Sequence, residues 1–163
     1  MVNDLDIIEI LERDSRTSAK DIADMLGADE TEVRERIDAL EKDRIILGYT
    51  AMVNHEKLQT DRSTSCVIEV QISPERGIGF DRIAERIYRF PEVRSVYLMS
   101  GSYDLLVIIE GSTMKEIAQF VIDKLATLEN VRSTATHFML KKYKEMGAIL
   151  GHEQENERMP VTP

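Results

Sequence analysis

The sequence of 163 residues has no tryptophan, one cysteine, four prolines and three histidines. A single cysteine, Cys66, excludes an internal disulfide and a cysteine-cluster metal site, and this is typical of a reducing compartment. No uncharged apolar run approaches the roughly 20 residues that cross a membrane, and the acidic start of the chain is not that of an export signal. The sequence therefore predicts a soluble, cytoplasmic protein with no membrane partner.

Side chains for catalysis or cofactor binding are also scarce. His55, His137 and His152 fall in a predicted loop, a strand and the tail, a scatter typical of packed or exposed histidines and not of a metal site. The sequence contains no Gly-rich phosphate loop, no Ser/His/Asp set and no clustered carboxylate pair. We expect no metal, no cofactor and no enzymatic activity.

Charge is unevenly spread along the chain. The net charge is −9; residues 1–50 carry 14 acids against 7 bases, whereas residues 62–143 carry 10 against 11. A nucleic-acid-binding domain usually presents a basic face, because Lys and Arg neutralise phosphates. The acidic first third therefore argues against DNA binding unless its few bases are well placed.

Apolar residues at helical spacing predict three short helices in the first fifty residues. The first covers residues 4–13, with an inner face expected to contain Leu5, Ile7, Ile8, Ile10 and Leu11. The second begins after Ser18, whose side chain can cap the helix with Asp21 in the matching position of a capping box. It ends at Gly27, which tolerates a positive φ. Its inner face is expected to contain Ile22, Ala23 and Leu26.

The third helix has Asp29 as its N-cap candidate and Glu32 at the matching box position. Its buried stripe is predicted to consist of Val33, Ile37 and Leu40. At about 100° per residue, the opposite face holds Thr31, Glu35, Asp38 and Lys42, while Arg34 and Arg36 project from the two flanks. A helix, a short turn and a helix are the elements of a helix-turn-helix motif.

A β-rich run from Ile45 to Val53 follows, and it predicts a wing or linker strand. Polar residues from Asn54 to Ser65 then indicate a domain boundary.

The remainder of the chain contains an internal duplication. A shift of 38 residues places Val67-Ile68 on Leu105-Leu106 and Val93-Arg94-Ser95 on Val131-Arg132-Ser133. Each half reads strand, helix, strand. The predicted strands are 66–72, 93–99, 104–110 and 131–140, and the predicted helices are 80–90 and 113–128. Two such units in tandem predict a ferredoxin-like βαββαβ domain, with a four-stranded antiparallel sheet and both helices on one face.

The open face of that sheet is expected to be covered. Leu105 to Ile109 shows no apolar-polar alternation, which is typical of a strand buried on both sides. A second copy of the chain is the simplest cover, so the sequence predicts an obligate homodimer.

The predicted fold class is therefore α+β, with a winged-type helix-turn-helix domain before the ferredoxin-like domain. The predicted divisions are residues 1–48 for the helix-turn-helix, 49–61 for the linker strand and loop, 62–144 for the ferredoxin-like domain, and 145–163 for a mobile polar tail.

Five stretches at these spacings carry a family resemblance. They are Arg16 to Ala23 (RTSAKDIA), Val33 to Ile37 (VRERI), Leu40 to Lys42 (LEK), Gly48 to Ala51 (GYTA) and Gly101 to Asp104 (GSYD). Together they resemble the leucine-responsive regulatory protein and AsnC family, the feast/famine transcription regulators, across about residues 3–144. Arg44 stands where the family usually has a glycine, which adds a base and removes a flexible turn.

The resemblance implies an N-terminal domain that binds double-stranded DNA. It also implies a C-terminal domain that dimerises, assembles into octamers and binds a small effector, usually an amino acid. The DNA-binding candidates are Arg16, Ser18, Lys20, Thr31, Arg34, Arg36, Lys42 and Arg44. The effector-binding candidates are the family's GxxD turn with its neighbours and a threonine-bearing last strand: Met99, Ser100, Gly101, Ser102, Tyr103, Asp104, Thr134 and Thr136.

Two interpretations of the effector turn stay open. An amino acid presents an ammonium and a carboxylate, so Asp104 can pair with the ammonium or orient a loop whose amides bind the carboxylate. Alternatively, Gly101 and Asp104 serve only the turn itself.

The interpretation that the sequence favours is an amino-acid-responsive, DNA-binding transcription regulator whose oligomeric state is tuned by an effector bound between dimers. One alternative is an enzyme that resembles siroheme decarboxylases, which share this architecture. Others are an effector-binding module that has lost DNA binding, or one that acts through mixed oligomers with a relative.

Overall fold

A computed structural model describes residues 2–57, 64–73, 79–111 and 113–150. The chain divides into two compact units, Met1–Val53 and Asn54–Pro163. Each unit has a hydrophobic core of its own.

The first unit consists of three helices: α1 (Asp4–Arg13), α2 (Ala19–Leu26) and α3 (Glu30–Lys42). All three predicted helices are confirmed. Their shared core contains Val2, Ile7, Leu11, Ile22, Ala23, Val33 and Leu40. The inner face expected for α1 is wrong in one member, because Leu5 is 70% exposed. Ile7 and Leu11, one helical turn apart, define the buried face, and Leu5 lies about 200° around the helix from Ile7.

The helix ends follow the capping chemistry predicted from sequence. Ser18 Oγ accepts from the backbone N–H of Asp21 at 3.1 Å and donates to Asp21 Oδ2 at 2.6 Å. Gly27 ends α2 in the left-handed conformation, with φ 64° and ψ 38°. Asp29 accepts from the backbone N–H groups of Thr31 and Glu32 at the start of α3, and these bonds lower the pKa of Asp29. The turn between α2 and α3 is therefore fixed at both sides.

Residues 45–54 belong to no helix or strand, so the strand predicted from Ile45 to Val53 is wrong for this chain. A strand needs a neighbour to pair its backbone groups, and residues 2–53, the described part of the first unit, contain no strand. The run is instead a bare apolar segment, in which Leu47 is 80% exposed. Tyr49 ties it to α3, since its hydroxyl donates to Glu41 Oε1 at 2.8 Å. Partial burial, with that hydrogen bond, raises the pKa of Tyr49 to about 12.

The C-terminal end of α3 is a Schellman motif. The backbone N–H of Ile45 donates to the carbonyl of Leu40 at 2.9 Å, and that of Arg44 donates to the carbonyl of Glu41 at 3.0 Å. Arg44 has φ 59°, which is the left-handed conformation that glycine usually supplies at this position. The turn is thus kept without glycine, and the Cβ of Arg44 makes it less favourable.

We expect Arg44→Gly to be more stable than Arg44→Ala by about 1 kcal/mol, because both remove the guanidinium and only glycine relieves the left-handed backbone. Denaturant unfolding of the two variants measures the difference. Identical unfolding midpoints would contradict the assignment of strain to Arg44.

The second unit contains the ferredoxin-like domain that the duplication predicts. Its elements are β1 (Thr64–Ile72), α4 (Gly79–Tyr88), β2 (Val93–Leu98), β3 (Leu105–Gly111), α5 (Met114–Phe120, continued as a π-helix over Val121–Leu125) and β4 (Val131–Phe138), after a 3₁₀ turn at His55–Lys57. The sheet is antiparallel in the order β2-β3-β1-β4. The predicted fold class is confirmed.

The two faces of the sheet differ in their cover. On one face, Cys66, Ile68 and Val70 of β1 are fully buried in a core that includes side chains from both helices. On the other, Leu106 and Ile108 of β3 are half-buried in the single chain. The prediction of burial on both sides therefore does not hold within one chain. Burial also raises the pKa of the Cys66 thiol.

A small hairpin follows the sheet, with β5 (Lys144–Glu145) paired to β6 (Ala148–Ile149). Its two turn residues, Met146 and Gly147, have φ 45° and 88°, and positive φ at both turn residues suits a two-residue hairpin. The first residues of the predicted polar tail, 145–149, therefore take part in this hairpin. The rest of that predicted tail, 151–163, lies outside the described residues.

Candidate nucleic-acid interface and effector turn

Helix α3 presents a polar face away from the core of the first unit. Val33 and Leu40 are buried and Ile37 is half-buried. The opposite side exposes Thr31, Glu35, Asp38 and Lys42, as the helical angles predict. Any ligand that approaches α3 therefore meets two carboxylates near the centre of its exposed face.

Three of the candidate DNA-binding arginines are already paired with carboxylates. Arg16 binds both carboxylate oxygens of Asp14 at 3.2 and 3.3 Å, which lowers the pKa of Asp14. Arg34 pairs with Glu30 at 2.6 Å, and Arg36 with Asp4 at 2.7 Å. These side chains are at least one-third exposed, and exposed pairs of this kind contribute only about 0 to 1 kcal/mol. A phosphate can therefore replace the carboxylate at little cost.

The remaining DNA-binding candidates divide into two groups. Lys20, Lys42 and Arg44 are exposed and make no ion pair within the described ranges. Ser18 and Thr31 lie at the starts of α2 and α3, where the Ser18 hydroxyl is engaged in capping. Exposed cations and helix N-termini are both suited to phosphate contacts.

The turn between β2 and β3 contains most of the effector candidates. Ser100, Gly101 and Ser102 are exposed, as is Met99, while Tyr103 and Asp104 are half-buried. Gly101 has φ 144°, which favours glycine. The turn therefore offers backbone groups and two hydroxyls to a ligand.

Asp104 fastens this turn to the end of β1. Its Oδ2 accepts from the backbone N–H of Ile72 at 2.7 Å. Its own N–H donates to the carbonyl of Val70 at 3.0 Å, and its carbonyl accepts from Met99 N–H at 2.8 Å. Within the single chain Asp104 therefore orients the turn, which fits both a turn prepared for a ligand and a purely structural turn.

The two threonines lie on the far edge of the sheet from that turn. Thr134 pairs with Val70 and Thr136 with Ile68, so both point to the side of the sheet that packs against the helices. Strand β1 lies between β4 and β3, so strands β4 and β3 are about 10 Å apart at the usual strand spacing. One chain therefore does not bring Thr134 and Thr136 together with the Gly101–Asp104 turn.

Two residues missed from the sequence connect the edge strand to the turn. Gln71 Nε2 donates to the carbonyl of Ser102 at 2.8 Å, and Ser133 Oγ donates to Gln71 Oε1 at 2.8 Å. Gln71 and Ser133 are direct partners across β1 and β4. The only sign of this link in the sequence is that Gln71 is a polar residue in an apolar strand. Its partner Ser133 depends on the strand register, which the sequence does not show.

A separate cavity of about 330 Å³ lies beside α5, and none of the effector candidates lines it. Within it Lys124 Nζ donates to Glu92 Oε1 and lies 5.6 and 5.4 Å from the ring centres of Phe90 and Phe120. The lysine lowers the pKa of Glu92. In the described ranges no group of three or more His, Cys, Asp or Glu is arranged to hold a metal ion. None of the helices there is both long and apolar enough for a membrane span.

We expect Asp104→Ala to lower the free energy of unfolding by roughly 1 to 3 kcal/mol, because the N–H of Ile72 loses its acceptor. Asp104→Asn keeps a side-chain oxygen and is expected to lose less. Thermal unfolding without any ligand measures both. An alanine variant as stable as the natural chain would contradict the orienting role.

A three-helix unit with an exposed third helix, followed by a ferredoxin-like domain, defines the architecture of a helix-turn-helix regulator. The family model described as the AsnC-type helix-turn-helix domain matches residues 3–41. The model described as the Lrp/AsnC ligand binding domain matches residues 65–149. The chain therefore belongs to the Lrp/AsnC family of transcriptional regulators, which confirms the resemblance found in the sequence.

Relatives of the chain agree with this assignment. The chain is 48% identical over 158 residues to YugG, an uncharacterized HTH-type transcriptional regulator of Bacillus subtilis, with 97% of this chain and 95% of the relative covered. It is 34% identical over 138 residues to the HTH-type transcriptional regulator LrpA of Pyrococcus horikoshii, covering 85% and 94%.

Solved structures share the fold. E. coli AsnC has a TM-score of 0.67 at 20% identity, with 93% of this chain and 99% of that chain covered. The transcriptional regulator NMB0573 of Neisseria meningitidis, in a complex with L-Met, has a TM-score of 0.68 at 22% identity, covering 89% and 94%.

Proposed function

We propose that this regulator binds double-stranded DNA through α3 and its flanking bases, and that a small amino acid tunes how its subunits assemble. The observation that carries the DNA half is the arrangement on the first unit, where Arg16, Arg34 and Arg36 are held at the surface in ion pairs that phosphates can replace. Lys20, Lys42 and Arg44 supply further exposed cations.

The net negative charge of residues 1–50 makes each helix-turn-helix domain a weak binder of DNA, because neutralisation of phosphates by Lys and Arg supplies most non-specific affinity. A dimer overcomes this weakness, since its two helix-turn-helix domains engage two DNA half-sites that lie about one turn of the double helix, or a multiple of it, apart. The proposed contacts are Arg16, Ser18, Lys20, Thr31, Arg34, Arg36, Lys42 and Arg44.

Selection of bound DNA from a random pool at two salt concentrations tests this proposal. We expect a consensus sequence whose affinity falls steeply with salt, by a log–log slope of about −0.9 for each phosphate neutralised. Arg36→Ala should make the slope shallower by about 0.9, the contribution of one neutralised phosphate. Asp4→Asn should keep the slope and strengthen binding, because it frees Arg36 from its ion pair. A chain that binds no DNA at low salt would contradict the proposal and would favour an effector-binding module.

The open face of the sheet supports the homodimer. Its centre is largely apolar, with Val67, Leu106 and Ile108 half-buried and Tyr97 exposed beside them, but it also contains Glu69, which lies opposite Leu106 and 3.4 Å from His137 Nε2. An apolar sheet face of this kind requires a cover, and a second copy of the same face is self-complementary in a two-fold dimer. The exposed apolar run that begins at Ile45 lacks a strand partner, which a second copy can equally supply.

The effector is proposed to bind where dimers meet, in a higher oligomer such as an octamer. The Gly101–Asp104 turn and the pair Thr134 and Thr136 are separated within one chain, so a second subunit is needed to bring one set to the other. The turn offers backbone N–H groups and hydroxyls for a carboxylate, and the remaining oxygen of Asp104 for an ammonium. The L-Met complex of the Neisseria meningitidis neighbour supports an amino acid as the ligand class.

Light scattering with and without single amino acids tests assembly and effector together. We expect the natural chain to be a dimer or a multiple of it at micromolar concentration, with a shift when the right amino acid is added. Ile108→Glu places a charge on the open face and should yield folded monomers. Met114→Glu, at an exposed position of α5, is the matched control and should assemble normally. A monomeric natural chain would contradict the dimer, and indifference to every amino acid would contradict the effector.

A role without catalysis is part of the proposal. The relatives are named transcriptional regulators, and Asp104, the acid of the effector turn, is engaged in holding the backbone. These observations favour regulation over an enzyme that resembles siroheme decarboxylases.

A further inference from the structure

The exposed face of α3 contains two carboxylates, Glu35 and Asp38, together with Thr31 and Lys42, and the cations Arg34 and Arg36 lie at its sides. Measured from Val33 at about 100° per residue, Glu35 lies at about 200° and Asp38 at about 140°, which is the side opposite the core. Both are exposed, and within the described ranges neither makes a hydrogen bond or an ion pair. Arg34 and Arg36 emerge from the two flanks. The two acids are thus free to meet a ligand directly.

This layout matches the layout of a DNA major groove. The groove is about 12 Å wide, with base edges on its floor and phosphates along its rims. A recognition helix that lies in the groove turns its centre line to the floor and its flanks to the rims. Arg34 and Arg36 then face phosphates, and Glu35 faces base edges at the place where phosphate repulsion is weakest.

A carboxylate at the floor of the groove can only accept hydrogen bonds. Guanine presents two acceptors there and thymine presents an acceptor and a methyl group, so neither offers a donor. Adenine presents a donor beside an acceptor, which repels a carboxylate. Cytosine presents its N4 amino group alone, and it is therefore the base that suits Glu35.

We propose, resting on the proposed DNA binding, that Glu35 determines sequence specificity by accepting a hydrogen bond from the N4 amino group of a cytosine in each half-site. Asp38 lies about 60° around the helix from Glu35 and about 4.5 Å further along the helix axis. Successive base pairs are about 3.4 Å apart, so Asp38 faces a position one or two base pairs away.

The test is selection from a random pool by the full chain and by Glu35→Gln, at one low salt concentration, followed by affinity measurements on the selected sites. We expect the natural chain to select cytosine at one position of each half-site. Glutamine pairs with adenine through N6 and N7, so the variant should change that position from cytosine to adenine, with about tenfold discrimination.

Glu12→Gln is the matched control, because Glu12 is equally exposed, lies on α1 and loses the same charge. It should strengthen binding to all sequences alike and leave the consensus unchanged. If Glu35→Gln behaves as Glu12→Gln does, the carboxylate merely repels phosphates, and the inference is overturned while DNA binding stands. If the natural chain binds no DNA, the proposed function itself fails. A preference for guanine at the position altered by Glu35→Gln also overturns the inference.

Discussion

The arrangement of the second unit depends on one constraint: two helices on one side of a four-stranded sheet can bury only one of its faces. Cys66, Ile68 and Val70 are buried beneath the helices, whereas the alternate residues of the same strands remain accessible. Because β3 is apolar on both faces, Leu106 and Ile108 on the open face are only half-buried by folding of the single chain. In the proposed assembly, association depends on the apolar composition of this central strand, and the proposed effector residues, which are separated in one chain, become neighbours only through association.

The first unit has an acidic composition, although its proposed role is to bind DNA, which is a polyanion. Three of the proposed phosphate-binding arginines, Arg16, Arg34 and Arg36, are each paired with a carboxylate. In the proposed complex, binding exchanges one anion for another at each guanidinium. We expect such a domain to have a low affinity for arbitrary DNA, which improves discrimination in a genome full of competing sites.

Features encoded by neighbouring residues could be predicted from the sequence. The caps at Ser18 and Gly27 depend on residues a few positions apart, and the duplication revealed the order of strands and helices. The prediction that Leu5 is a core residue is wrong because Leu5, Ile8 and Leu11 share one helical spacing, while Ile7 and Leu11 share another. Only packing against the other helices decides which of the two faces is buried. The predicted strand after Ile45 failed because a strand depends on a partner that a single chain does not supply. The link from Ser133 through Gln71 to Ser102 follows from strand register, which no local pattern specifies.

The position of Cys66 has a practical consequence. The only thiol of the chain is fully buried at the centre of the sheet, and burial raises its pKa, so it remains protonated and poorly nucleophilic. The native surface therefore behaves as though it were cysteine-free. A cysteine introduced on α3 or in the Gly101–Asp104 turn would be the one group open to maleimide dyes or spin labels, and distances between labelled subunits could be followed without first removing a natural residue.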